Sequence, residues 1–269
     1  IIMKKITLFF IISICFVLLF AKDKENYILS MYVGDVKVAV KENDKWTKAK
    51  TDMPLYESSM IKTGKESYCD VLMPKRGVFR ILDNTLVVIN QLKSNFEEIK
   101  IKKGKGLFNI TKKLSKGETF KVETEVAVAA VRGTQFIIDT DEKKLTCRVK
   151  EGEVVLRRNV KLPEELEADE EILSKLEVVA KANQEIELTM DENKALENLI
   201  NRAKNNLAEL KDILDESQKT TQKKIKMIQN VRRVLKELNM FDDMQTGNIQ
   251  EDEEVDETED TLQKIKNRK

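Results

Sequence analysis

Histidine, the side chain that most often carries acid–base catalysis and binds metals, is absent from all 269 residues of this sequence. Its absence excludes the histidine-dependent serine and cysteine nucleophiles and most zinc sites. Lysine and carboxylate chemistry stays possible, but the two carboxylates of a glycosidase cannot be recognised from sequence alone. We therefore expect a protein without enzymatic activity, cofactor or metal.

Arg132 interrupts the apolar stretch AVAAVRGTQF at residues 127–136, which otherwise has the composition of a buried β-strand. Arginine is rarely fully buried unless it is paired, and glycine weakens a strand interior unless the backbone needs it there. We interpret Gly133 as a bulge or a close backbone approach, and we expect Arg132 to pair with Glu151 or Glu153. The alternative is an exposed, anion-binding arginine.

A lysine-rich segment, KKGKGLFNITKK at residues 102–113, places Lys102, Lys103 and Lys105 beside apolar residues. It could bind an anionic envelope polymer, but we favour an edge strand whose lysines prevent aggregation. The net charge of +1 gives no general argument for nucleic acid, and we expect no binding to it. Trp46, the only tryptophan, either packs over the end of a sheet or contacts a partner.

The elements that position these residues change near residue 160. Before it, period-two alternation predicts short strands between turns. Cys69, Val71 and Met73 share one face, as do Val36, Val38 and Val40, while Phe136 and Ile138 oppose Leu145, Cys147 and Val149. We expect a mainly β domain over residues 22–190, either a sandwich or a short β-solenoid, with a short helical insertion at about 163–177.

The C-terminal part, residues 191–241, has the leucine spacing of a coiled coil. It predicts either one long helix to about Phe241, which we favour, or a helical hairpin around ESQKTTQ (216–222). A stripe this long implies self-association or docking of a partner helix. Its expected contacts are Leu199, Leu207, Leu210, Leu214, Ile228 and Leu235. Residues 242–269 form an acidic tail that we expect to be disordered.

Near the N-terminus, Lys4 and Lys5 precede an apolar run from Ile6 to Ala21. This pattern is typical of a secretory signal peptide, so residues 1–21 are expected to be either cleaved or kept as a membrane anchor. In both cases the rest of the chain lies outside the cytoplasm, in the periplasm or another part of the envelope. Cys69 and Cys147 could then form a disulfide, or they could be buried as free, small apolar residues.

Residues 120–156 resemble the most characteristic part of the FecR domain family. A strand of small residues enters an Arg-Gly-Thr-x-Phe segment, and a hairpin follows that ends in a Glu-Gly-x-Val turn. VGDVKV (33–38), the Thr-Gly hairpin of residues 61–89, IKIKKGKGLFNI (99–110) and VVAKANQEIELT (178–189) extend the resemblance. The motif residues, expected to be structural, are Val131, Arg132, Gly133, Thr134, Phe136, Glu151, Gly152 and Val154.

The resemblance implies an all-β extracytoplasmic domain used for binding, signalling or scaffolding. The regulators that give the family its name also have a cytoplasmic segment that engages a sigma factor, and a C-terminal module that contacts a receptor. Few residues precede the apolar run here, and the C-terminal part has a helical pattern, so we do not expect direct sigma-factor regulation. We expect a non-enzymatic interaction or scaffold module of the envelope. The alternative is a membrane-tethered periplasmic signalling component.

Overall fold

The computed structural model describes residues 26–42, 44–93, 95–111, 118–131, 133–228, 240–241 and 244. Alternating buried and exposed side chains form 17 strands within these residues. The strands are β1 (Tyr27–Val33), β2 (Val36–Ala39), β3 (Thr47–Lys48), β4 (Met53–Leu55), β5 (Met60–Thr63), β6 (Tyr68–Met73), β7 (Gly77–Ile81), β8 (Leu86–Lys93), β9 (Phe96–Ile110), β10 (Thr119–Glu123), β11 (Ala127–Val131), β12 (Gln135–Thr140), β13 (Lys144–Glu151), β14 (Glu153–Arg158), β15 (Glu177–Lys181), β16 (Gln184–Thr189) and β17 (Lys226–Met227).

The strands form two sheets that share β9. The first sheet has the order β4-β1-β6-β7-β9-β12-β13-β16-β17. The second has the order β3-β2-β5-β8-β9-β10-β11-β14-β15. Neighbouring strands are antiparallel except for β9 and β10. The chain crosses repeatedly between the sheets, so short segments of sequence contribute to both.

The lysine-rich strand lies at the centre of this architecture. Residues 96–103 of β9 pair within the second sheet, and residues 104–110 pair within the first. Gly104 has φ +101° at the crossing, and a Cβ there would lie 2.5 Å from the Thr85 Cα. Only glycine fits such a crossing without strain. The expectation of an edge strand is therefore wrong, because β9 has neighbours on both sides in each sheet.

One apolar core fills the space between the sheets. Phe79, Phe108 and Phe136 stack on adjacent strands of the first sheet, with ring centroids 5.5 and 4.9 Å apart. The ring centroid of Phe120, on the second sheet, lies 6.2 Å from the ring centroid of Phe108. The mainly β fold predicted from sequence is confirmed, and its form is two sheets facing each other.

Three helices and a 3-10 turn follow the main part of the β region. The turn is Glu164–Leu166, and the helices are α1 (Glu170–Lys175), α2 (Met190–Ala203) and α3 (Leu207–Lys223). Neither predicted form of the C-terminal region is correct. The chain turns at residues 204–206, the ESQKTTQ segment lies inside α3, and strand β17 follows α3. The heptad phase is overridden because Asn206 caps α3, its side chain accepting a hydrogen bond from the Glu209 backbone N–H at 3.3 Å.

The helices pack together at the end of the β structure formed by β14–β16. Their shared cluster contains Ile172, Leu176, Leu196, Ile200, Ala203, Leu210 and Leu214. Arg158, at the end of β14, donates hydrogen bonds to Asn193 (2.8 Å) and Glu192 (3.0 Å) on α2, and to Thr221 (3.1 Å) on α3. A buried guanidinium therefore joins both long helices to the second sheet.

Candidate functional site

The two most characteristic sequence segments form neighbouring corners where the chain changes sheets. Gly133 (φ +66°) lies between β11 and β12, and Gly152 (φ +81°) lies between β13 and β14. A Cβ on Gly152 would lie 2.9 Å from the Gly133 carbonyl oxygen. The buried Thr134 hydroxyl donates to the Glu153 carbonyl at 3.0 Å. The two corners are therefore in direct contact. The positive φ at both positions and the close approach at Gly152 explain why glycine is needed there.

The remaining motif residues lie on the strands beside these corners. Val131 pairs with Val154, and Gln135 pairs with Glu151. The register then shifts by one residue at Lys150, which places Phe136 opposite Val149. The predicted bulge is therefore on the partner strand β13. Arg132 lies outside the described residues, so its pairing with Glu151 or Glu153 stays a prediction.

Cys69 and Cys147 are free and fully buried. Both occupy the same cross-strand row of the first sheet, but β7, β9 and β12 separate their strands. Four strand spacings of about 4.8 Å separate them by roughly 19 Å, whereas a disulfide needs Cα atoms within about 7 Å. The structure therefore contradicts the disulfide. Burial raises the pKa of the Cys147 thiol to about 12, so this thiol stays protonated and unreactive.

The lysines singled out in the sequence are largely engaged by carboxylates. Lys102 contacts Glu42 at 3.2 Å, and Lys105 contacts Asp139 at 3.1 Å. Lys103 is exposed. The pairing reduces the positive charge that this strand offers to an anionic polymer.

Further charged groups line an open groove between β13, β16 and the end of α3. They include the ion pairs Arg148–Glu185 and Lys144–Glu187, each at 3.2 Å. Within the described part of the chain, no cluster of acids and cysteines could hold a metal ion. The groove is therefore a mixed-charge surface.

Of the predicted helical contacts, Leu210 and Leu214 are wrong, because both are fully buried in the chain's own helical cluster. Leu199 and Leu207 are exposed and flank the turn between α2 and α3. Ile228 is half-buried next to β17, and Leu235 lies outside the described residues. The turn at residues 204–206 breaks the continuous stripe that a coiled coil would need.

Exposed apolar residues lie on or beside the first strands of both sheets, at the far end of the strand order from the helices, and we call this set the N-terminal rim. Trp46 is 37% exposed immediately before β3. Four further exposed residues lie on or next to β1, β2 and β4, the first strands of the two sheets: Tyr32, Val33, Val40 and Tyr56. Apart from Trp46, sequence reasoning missed them. Val40 was expected to face inward, but β2 ends at Ala39.

The rim also has an incompletely paired strand. Residues Tyr27–Leu29 of β1 pair with β4, whereas Met31–Val33 pair only with β6 among the strands that the structure describes. Tyrosine and tryptophan are enriched in protein interfaces, and an unpaired strand edge can accept another strand. The rim is therefore the best candidate for a protein-binding surface on the β domain.

No helix in the described ranges has the length and apolarity needed to cross a membrane. The apolar run at residues 6–21 lies outside those ranges.

Comparison with known proteins identifies the β domain. A family model described as FecR protein matches residues 59–155, which include both sheet-crossing corners. Two crystal structures of a proposed anti-sigma factor from Parabacteroides distasonis ATCC 8503, at 2.50 and 1.65 Å resolution, align with 17% identity and a TM-score of 0.38. Each alignment covers 48% of this chain and 53% of that protein, about half its length.

A likeness at that level does not extend function from that protein to this chain. No curated protein matches the sequence. The family match, by contrast, falls on the segments whose residues predicted it. Residues 59–155 of this chain therefore match the FecR domain.

Proposed function

We propose that this chain is a non-enzymatic, extracytoplasmic interaction module of a signalling assembly, and that it binds a partner protein through the N-terminal rim. The observation that carries the proposal is the exposure of Trp46 beside β3 and of Tyr56 beside β4, the strands at one end of the strand order of each sheet. The other end is covered by α1–α3. An aromatic surface left open at one end favours contact with another protein.

The FecR domain supports the signalling part of this proposal. The signal-like segment at residues 1–21 supports an envelope location. The sequence has no histidine, and the described residues contain no acid and cysteine cluster suited to a metal. Binding is therefore the activity that these side chains favour.

Site-specific photo-crosslinking in intact cells tests the rim. A photoreactive residue replaces Trp46 or Tyr56, and the adducts are identified by mass spectrometry. Leu207 and Met227 serve as matched controls, because they are 55% and 59% exposed but lie far from the rim along both sheets. We expect one protein adduct that both rim positions share and that neither control produces.

Trp46→Ser in the Tyr56-labelled protein completes the test. We expect this variant to lose the adduct and to keep a cooperative thermal unfolding transition, because Trp46 is not part of the apolar core cluster between the sheets. Adducts of equal yield at the control positions, or none at the rim, would contradict the proposal.

A membrane-tethered signalling component is the second candidate, favoured by the apolar run from Ile6 to Ala21. Determining the N-terminal residue of the mature protein separates the two. A start near residue 22 indicates a secreted module, and retention of the apolar run indicates a tether.

A further inference from the structure

The outer face of the first sheet carries an apolar patch, which we call the patch. Its residues are Leu72, Val78, Leu82, Leu107 and Ile137. Outward positions on this sheet are otherwise mostly polar. In the row that contains Leu107 and Ile137, the pair Asp70–Arg80 lies on one side and the pair Arg148–Glu185 on the other. The patch is therefore a local apolar area between two ion pairs.

Three residues from the C-terminal part of the chain, Met240, Phe241 and Met244, cover the patch. We call them the cover. Phe241 and Met244 are 3% and 4% exposed, and Val78, Leu107 and Ile137 beneath them are almost completely buried. The Lys150 ammonium lies 5.2 Å from the centre of the Phe241 ring, within the range of a cation–π contact.

Among the described residues, side-chain contacts join the cover to the patch. No described strand pairs with Met240, Phe241 or Met244, and the hydrogen bond from the Met244 N–H to the Phe241 carbonyl is local. Apolar burial by three side chains must offset the entropy lost in ordering the segment. Such a contact is reversible, unlike the paired strands of the sheets.

The cover also defines the chemistry that the patch accepts. It presents an aromatic ring to a lysine and two flexible methionines to branched aliphatic residues. Methionine adapts to irregular apolar surfaces and is common at binding sites that accept several partners. In the sequence, Asp242 and Asp243 separate Phe241 from Met244, so the segment that supplies the cover is acidic in sequence.

We propose that the patch is a docking surface for a partner segment that carries an aromatic residue close to methionine and acidic residues. In the free protein, the cover occupies this surface as an internal competitor. A partner segment binds by displacing it, and the apparent affinity falls with the fraction of molecules in which the patch is covered. This surface is separate from the N-terminal rim and does not depend on the function proposed for the rim.

A labelled peptide with the sequence of residues 237–246, ELNMFDDMQT, tests the proposal by fluorescence anisotropy with the full chain. The double variant Phe241→Ser, Met244→Ser opens the cover. Met227→Ser is the matched control, because Met227 is a 59% exposed methionine on β17 outside the patch. We expect the open variant to bind the peptide at least about tenfold more tightly than the wild type and the control. Adding Val78→Lys to the open variant should abolish binding.

Cooperative urea unfolding is measured for each variant. Should the open variant lack a cooperative transition, the cover belongs to the core fold and the proposal is wrong. A folded open variant that binds no better than the wild type also overturns it. Lys150→Ala provides a milder route, because it removes the cation–π contact with Phe241 and leaves the apolar side chains of the cover in place, and it should give a smaller increase in affinity.

Discussion

Asp70 and Arg80 form the most buried ion pair among the described residues. Asp70 accepts hydrogen bonds from Arg80 Nε at 2.6 Å and Nη2 at 2.7 Å, and the guanidinium lies 4.9 Å from the centre of the Tyr68 ring. Both residues are on adjacent strands of the first sheet, beside the patch. A buried ion pair on the outward face of this sheet therefore contributes to the stability of the domain.

Breaking this pair should destabilise the domain strongly. We expect Asp70→Ala to lower the free energy of unfolding by about 3–5 kcal/mol, because it removes the bidentate Asp70 carboxylate from a buried guanidinium. The double variant Asp70→Leu, Arg80→Met should recover most of the loss, since it removes both charges. Urea unfolding measures all three proteins.

Lys65→Ala is the control, because Lys65 and Glu66 form an ion pair with side chains 82% and 84% exposed. Its effect should be below about 1 kcal/mol. Equal losses for Asp70→Ala and Lys65→Ala would show that burial of the Asp70–Arg80 pair does not determine its contribution.

At the scale of elements, Arg158 determines where the helices attach. Sequence reasoning did not identify this residue, although its position at the end of an alternating strand placed it on the inward side with Val154 and Leu156. Asn193 completes the network by donating to the Val126 carbonyl at 2.7 Å and the Asn159 carbonyl at 3.1 Å. The network therefore connects β14, α2 and α3 with the loop before β11.

We expect Arg158→Ala to release α2 and α3 while the sheets stay folded. Hydrogen exchange measured by mass spectrometry should show at least about a tenfold loss of protection in residues 190–223, because the docking energy of the helices limits their local opening. Arg157→Ala is the matched control, since Arg157 is half-exposed on the opposite face of β14. Loss of protection throughout β6–β9 would instead indicate global unfolding and contradict a local role.

The same network makes docking dependent on pH. Burial acts to raise the pKa of Glu192, but hydrogen bonds from Lys224 and Arg158 outweigh it and lower the pKa below its ordinary value of 4.5. A lowered pKa in the folded state stabilises docking above the ordinary value, and this contribution is lost as the pH falls through the folded-state pKa. Protection of α2 and α3 should therefore decrease below about pH 4.5, and Glu192→Gln should weaken that dependence.

At the scale of the whole molecule, the helices cover one end of the two-sheet structure and leave the N-terminal rim open. Leu210 and Leu214, two of the leucines expected to form a coiled coil, instead pack in the cluster that contains Ile172 of α1 and Leu176, which follows α1. The helical region therefore stabilises the chain internally. We therefore propose the rim and the patch, and not the buried helix faces, as the surfaces for a partner.

This arrangement predicts that Leu210→Ala lowers stability without changing the oligomeric state. We expect a loss of about 2–5 kcal/mol in the free energy of unfolding, because Leu210 is completely buried. Light scattering at a fixed concentration should give the same mass as the wild type. Leu207→Ala, at a 55% exposed position, is the control and should cost less than about 0.5 kcal/mol. A coiled-coil seam would give the opposite result, a lower mass for both variants.

The sequence alone determined the mainly β fold, the segments that match the FecR domain and the faces of individual strands. Cys69, Val71 and Met73 do face the core, and Phe136 and Ile138 do pair with Val149 and Cys147. These features follow from period-two alternation and from glycines at tight corners, which are local properties of the chain. Local patterns are readable in sequence because a strand must bury one face wherever it lies.

Only the tertiary structure decided which strands are neighbours and which apolar faces meet. The alternation in β9 is the same for an edge strand and a central one, so its central place depends on pairing with β7, β8, β10 and β12. The leucine stripe is compatible with a coiled coil and also with two helices folded back on each other. The N-cap residue Asn206, together with the apolar face of α1, favours the folded-back helices. The cover and the patch lie far apart in sequence, and burial of apolar surface, which has no directional pattern of its own, brings them together.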